Sequence, residues 1–210
     1  MTLRPPLRIP GITEIPPSAT GMRIGLFGGS FNPLHAGHIL VMEETLRRLA
    51  LDALWVLVTP GNPLKDNAGL PPLETRVRAA RNAIRDPRIR VTGFEAARGF
   101  AYTWQTVDFL TSTLPGRRFV WIMGADSLAD FHRWERWRDI AAKVPIAVYV
   151  RPGAGRRALA SRAASVLGHA RLDESAGPLL AAARPPAWIF LQGRQSALSS
   201  TAIRAGAARN

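Results

Sequence analysis

The stretch that most constrains the fold is Met22 to Leu40, MRIGLFGGSFNPLHAGHIL: an apolar run, a pair of glycines, a short loop with two histidines, then a helix start. A strand, a glycine turn and an amphipathic helix in that order bring an anion to a helix N-terminus, where unpaired N–H groups and the helix dipole favour negative charge. Ile24, Leu26 and Phe27 suit a buried strand. Gly28 and Gly29 remove two Cβ atoms where the backbone must turn and approach a ligand closely. With Ser30 and Phe31 they are the candidate phosphate contacts. Pro33 ends the loop pattern, and Ile39, Leu40, Met42, Glu43, Leu46 and Leu49 follow at the spacing of one helical face. His35 and His38 therefore flank the helix entrance, where imidazole N–H groups can donate to phosphate oxygens.

Neither G-x-G-x-x-G nor G-x-x-x-x-G-K-[ST] occurs, so the common nucleotide fingerprints do not apply. The histidine pair could ligate a metal, but the chain has four histidines, no cysteine and no third ligand at a recognised spacing. No protein-bound metal is expected. The lack of cysteine also excludes disulfides and thiol catalysis.

Beyond this stretch the chain alternates. Strands are predicted at Ala53–Thr59, Ile89–Phe94, Phe119–Met123, Ile146–Val150 and Trp188–Leu191. Helices are predicted over Leu73–Arg85, from Tyr102 through Leu110 with Thr103 as N-cap, and over Gly155–Gly168. That alternation predicts an α/β fold with a doubly wound parallel sheet and a site at the carboxyl ends of its strands. Gly124 and Asp126, just after the fourth strand, would then lie where a ribose hydroxyl is met. Residues 22–210 read as a single domain. Residues 1–21, with five prolines and no signal-peptide core, read as an extended, mobile arm, and Met22 is a candidate alternative start.

The net charge of +13 raises the question of nucleic acid. Only Lys65 and Lys143 are lysines, and the arginines are spread along the chain instead of concentrated on one element with interleaved aromatics. No nucleic-acid partner is expected, although the field would still attract a small polyanion. No apolar run of about 18 residues is present, which argues against a membrane partner. A cytoplasmic location suits a cysteine-free chain.

The string GGSFNPLHAGH resembles the signature G-G-x-F-x-P-x-H-x-G-H of the bacterial nicotinate mononucleotide adenylyltransferases, in the nucleotidyltransferase superfamily that carries H-x-G-H. Later segments extend the resemblance over about Met22 to Arg204. PGNPLKD is similar to the family's loop after the second strand, and this implies Lys65 near the nucleotide phosphates. Tyr102-Thr103 with Thr106 is similar to the segment that meets the nicotinate carboxylate. Gly124-x-Asp126 with Trp134 is similar to the G-x-D and downstream tryptophan near the nicotinate ring. Ser199-Ser200-Thr201-Ala202-Ile203-Arg204, after Leu198, matches the second superfamily signature, a further phosphate cradle.

The resemblance implies a Rossmann-like nucleotidyltransferase fold, with His35, His38 and Arg204 as catalytic residues. It implies adenylyl transfer from ATP, with Mg2+, to nicotinate mononucleotide, giving deamido-NAD and pyrophosphate. Two alternatives stay open. One is a related adenylyltransferase acting on phosphopantetheine or another phosphorylated small molecule, and the other is a nucleotide-binding regulator without turnover.

Overall fold

The computed structural model describes residues 6–61, 69–150 and 155–193. Among the described residues six strands form one all-parallel sheet: β1 (Arg23–Gly29), β2 (Ala53–Val58), β3 (Ile89–Thr92), β4 (Arg118–Gly124), β5 (Ile146–Val150) and β6 (Trp188–Gln192). Their spatial order is β3-β2-β1-β4-β5-β6. All six residues of β2 are buried, as a strand covered on both faces requires. The chain winds outward in one direction from β1 through β2 to β3, then crosses back to β4 beside β1. Between β1 and β4 lies the topological switch point where such sheets open a crevice.

One face of the sheet is covered by α1 (Ala36–Arg48), α2 (Leu73–Ala83) and a 3-10 segment at Glu174–Ala182. The other is covered by α3 (Phe94–Ala97), α4 (Thr103–Thr113), α5 (Ala125–Asp130), α6 (Trp137–Lys143), α7 (Gly155–Leu159) and α8 (Arg162–Val166). In α1 the buried side chains are Val41, Met42, Thr45 and Leu46, with Ile39 and Leu40 only half-buried. Thr45 enters this face because its hydroxyl donates back to the Val41 carbonyl at 2.7 Å.

Several boundaries differ from the pattern-based ones. The third strand stops at Thr92, whose Oγ1 accepts the Phe94 N–H at 3.1 Å and turns the chain into α3. Tyr102, not Thr103, is the N-cap of α4. The single helix expected over 155–168 is two short ones, since the Ser161 hydroxyl accepts from the Ala164 N–H and starts α8 afresh. The uninformative stretch before the last strand holds the 3-10 segment, tied to α1 by a Glu174–Arg48 ion pair.

The described part of the Pro-rich arm, residues 6–21, lies against the β3 end of the sheet. Ile12 is 2% exposed and belongs to the core. The Gly93 N–H donates to the Ile12 carbonyl at 2.9 Å, and Arg81 donates to the Gly11 carbonyl at 2.6 Å. An edge strand covered in this way has fewer groups available for pairing with another chain.

Candidate active site

At the end of β1 the strand passes into a tight loop. Gly28 and Gly29 are the last strand residues, and Cβ atoms there would crowd aromatic rings: Trp121 at 3.0 Å from the first position, Phe31 at 3.1 Å from the second. The glycine pair therefore lets two rings close on the strand end, a packing role beside the ligand approach expected of it. Phe31 is 4% exposed and adopts φ +45, a left-handed conformation uncommon for a bulky side chain. Its ring meets those of Phe27 and His38 edge-on, with centroids 5.6 and 5.1 Å apart.

His35 is the N-cap of α1 and His38 stands three residues on, with the two imidazoles stacked at 3.8 Å between centroids. His35 is buried and His38 half-buried. The His35 backbone N–H donates to Nδ1 of His38 at 3.3 Å. A ring nitrogen that accepts carries no proton, so in the neutral ring the proton sits on Nε2. The entrance to α1 thus carries an imidazole donor next to helix-start N–H groups.

Across the switch point, β1 and β4 run in register with Phe27 beside Ile122, so Gly28 and Gly29 lie near Met123 and Gly124. Gly124 caps α5, and a side chain there would collide with the Asp126 carboxylate, which curls back over it. Asp126 itself is exposed.

Trp134 is half-buried and packs edge-on against Trp121 and Phe131, with centroids 6.3 and 5.3 Å apart. Trp121 is the ring that fills the space over Gly28, so Trp134 stands one ring away from the end of β1. Trp137, by contrast, is core, 7% exposed. Two residues past Trp134, the Arg136 guanidinium lies 4.4 Å over the Trp104 ring, in the first turn of α4. That contact brings the chain just after Trp134 onto the first turn of α4, next to Thr103, and Trp121 links Trp134 to the end of β1.

The start of α4 is held by side-chain hydrogen bonds in which Gln105 and Glu95, not singled out in the sequence, take part. Oε1 of Gln105 accepts from the Ala101 and Tyr102 N–H groups at 2.9 and 3.0 Å. The Thr106 hydroxyl donates to the buried Glu95 carboxylate at 2.6 Å. Burial pushes Glu95 up to about 7, and the Thr106 hydrogen bond acts the other way. Arg76, on α2 and 4% exposed, is another buried charged residue that was not singled out in the sequence. The available signals were slight: one carboxylate in an apolar FEAA, and one arginine on the apolar side of an Arg-rich helix.

Lys65, Ser199, Ser200, Thr201 and Arg204 lie outside the described residues. Among the described residues, no group of three or more His, Asp or Glu is placed to hold a metal ion. Among them, too, no helix is long and apolar enough to cross a membrane.

With this geometry in view, the chain matches the cytidylyltransferase-like family over residues 26–206. It is 55% identical, over 90% of its length and 97% of the relative's, to a protein of Mesorhizobium japonicum named "Probable nicotinate-nucleotide adenylyltransferase". A protein of the same name from Methylorubrum extorquens is also 55% identical, over 87% of this chain and 99% of its own length. Among solved structures, Plasmodium falciparum nicotinic acid mononucleotide adenylyltransferase complexed with NaAD superposes with a TM-score of 0.67. That match is 15% identical and covers 88% of this chain and 83% of the other, a likeness of fold.

Proposed function

From the premise that the chain belongs to the cytidylyltransferase-like family, and within it to the nicotinate-nucleotide adenylyltransferases, we propose how its residues carry adenylyl transfer from ATP to nicotinate mononucleotide. The products are deamido-NAD and pyrophosphate. The nucleophile is a phosphate oxygen of the mononucleotide, whose second pKa of about 6 leaves it largely ionised at neutral pH. No protein general base is needed. The site must align that oxygen in line with the α-phosphorus of ATP and stabilise negative charge on the departing pyrophosphate.

The observation that carries this reading is the His35 N–H to His38 Nδ1 bond. With Nδ1 engaged in this way, Nε2–H of His38 is the donor we assign to the triphosphate at the α1 entrance. His35, His38 and the β1 loop residues Gly28 to Phe31 take the triphosphate from one side. Ser199, Ser200, Thr201 and Arg204, the second signature, are assigned to the leaving pyrophosphate, with Lys65 near the phosphates. Gly124 and Asp126 receive ribose, while Tyr102, Thr103 and Trp134 take the nicotinate moiety. N–H groups opening α4 suit a carboxylate, and an amide would turn its own NH2 donors toward them in at least one orientation. ATP enters as its magnesium complex, with the ion held by phosphate and water oxygens as part of the substrate. The expected setting is the cytoplasm.

The test is pyrophosphate release from MgATP with nicotinate mononucleotide, nicotinamide mononucleotide and phosphopantetheine in parallel. Preference for the first is expected. Release with phosphopantetheine alone overturns the ring pocket, and no release with any acceptor points to a regulator.

A further inference from the structure

The Arg76 side chain leaves α2 and ends among three backbone carbonyls. Its Nη1 donates to Ser30 and Thr59, and its Nε to Pro71, each at 2.9 Å. These acceptors come from three separate segments: the loop after β1, the end of β2, and the approach to α2. No carboxylate pairs with the guanidinium among the described residues. A buried cation without a counter-ion is costly, and burial lowers its pKa.

The three peptide groups differ in what they can do next. Thr59 and Pro71 are followed by Pro60 and Pro72, which have no N–H. Ser30 is followed by Phe31, which has one. In a planar trans peptide the C=O and N–H point in opposite directions. A Ser30 carbonyl fixed on Arg76 therefore aims the Phe31 N–H away from α2. A cation on the carbonyl also polarises the peptide and makes its N–H a stronger donor. The left-handed φ of +45 at Phe31 is a conformation that needs such outside support.

We propose that Arg76 is a positioning residue for adenylyl transfer: it orients and polarises the Ser30–Phe31 peptide so that the Phe31 N–H donates to a phosphate oxygen of MgATP. This rests on the placement of the triphosphate at the β1 loop proposed above. Arg76 touches no substrate itself. By holding Thr59 and Pro71 as well, it ties both ends of the following loop to the same point.

The experiment compares the wild-type chain with Arg76→Lys. Lysine keeps the charge but presents one ammonium in place of a planar fork, so the three-carbonyl geometry is lost. MgATP affinity is measured by calorimetry without the second substrate, which keeps the readout independent of what the acceptor is. Loss of about tenfold or more in MgATP affinity and in kcat is expected, with KM for nicotinate mononucleotide within about twofold of wild type. Unchanged MgATP affinity overturns the proposal, as does an equal loss for both substrates that tracks a lowered melting temperature.

A second measurement needs no variant. In wild-type protein labelled with 15N at phenylalanine, the Phe31 amide proton is expected to move downfield when MgATP binds. A Phe31 resonance that does not move while others shift overturns the proposal. If no resonance shifts and calorimetry detects no MgATP binding, the triphosphate assignment fails first, and this inference fails with it.

Discussion

The Thr106 hydroxyl donates to the Glu95 carboxylate at 2.6 Å with both side chains buried, a bond that ties α3 to the helix that Tyr102 caps and Thr103 opens. Glu95 is raised to about 7 from an ordinary value of 4.5. The folded protein therefore holds a proton that the unfolded chain releases between those values. Stability from this group is fully present below about 4.5, falls as pH rises toward 7, and is then level. Across the window the loss is on the order of 3 kcal/mol. Asp52 has the opposite sign: hydrogen bonding from Arg23 holds it below its usual range, so its contribution is lost only in acid. Urea unfolding at pH 5, 6, 7 and 8 should show wild type weakening relative to Glu95→Gln. A constant difference between the two proteins would remove ionisation of Glu95 from the account.

His38 is the residue on which the proposed chemistry depends most directly. If its Nε2–H meets charge that develops on phosphate, removal forfeits about 3 kcal/mol, or roughly a hundredfold in kcat. His38→Ala also removes the acceptor of the His35 N–H and ring contacts to His35 and Phe31, so a stability loss of about 1 kcal/mol is expected in a protein that still folds. The circular dichroism melt and the steady-state rate together check this. Near-wild-type turnover in a folded variant would take the catalytic role from His38.

The sheet was legible in sequence because its inner strands are apolar on both faces and punctuated by Gly, Pro and charge, while β3 alternates around the exposed Arg90, and all six described strands were predicted. Helix starts were less so. Thr103 looked the better cap by residue type, yet Gln105 reaches back to the Ala101 and Tyr102 N–H groups and moves the boundary by one residue. Side chains that support the site were not legible. Arg76 sits among many arginines in sequence, and only its three carbonyl partners, 46, 17 and 5 residues away, separate it from the exposed ones. Glycine spacing marked the end of β1, but that Trp121, from β4, closes to 3.0 Å on the Cβ position of Gly28 is a tertiary fact with no local signature.

Trp134 meets Trp121 and Phe131 in T-shaped contacts while remaining only half-buried, so part of its side chain is open to a ligand. A pyridinium ring on such a surface gains stacking and a cation–π term. Trp134→Ala should raise KM for nicotinate mononucleotide about tenfold, equivalent to roughly 1.4 kcal/mol, while KM for ATP changes much less. Initial-rate measurements with each substrate varied in turn decide the matter. Equal increases for both would mean that the substitution loosens the Trp121 platform, not the ring contact.

Gly124 and Asp126 form a pair in which one residue makes room for the other. A methyl group at position 124 would overlap the Asp126 carboxylate, which is exposed and can swing away. Gly124→Ala should therefore preserve folding, whereas an equivalent change at Gly28 presses on the buried Trp121 ring, which must shift by a few tenths of an ångström. If Asp126 receives a ribose hydroxyl, displacing it should weaken ATP use by about as much as deleting the carboxylate with Asp126→Ala, in the range of 1 to 3 kcal/mol, or roughly five- to a hundredfold in kcat/KM. The two changes act on one contact, so the double variant should lose little beyond either single one. Residues in direct contact fail additivity in this way, whereas independent sites add. A double-mutant cycle on kcat/KM for ATP measures the coupling, and fully additive losses would show that Gly124 acts on the site by a route other than the Asp126 side chain.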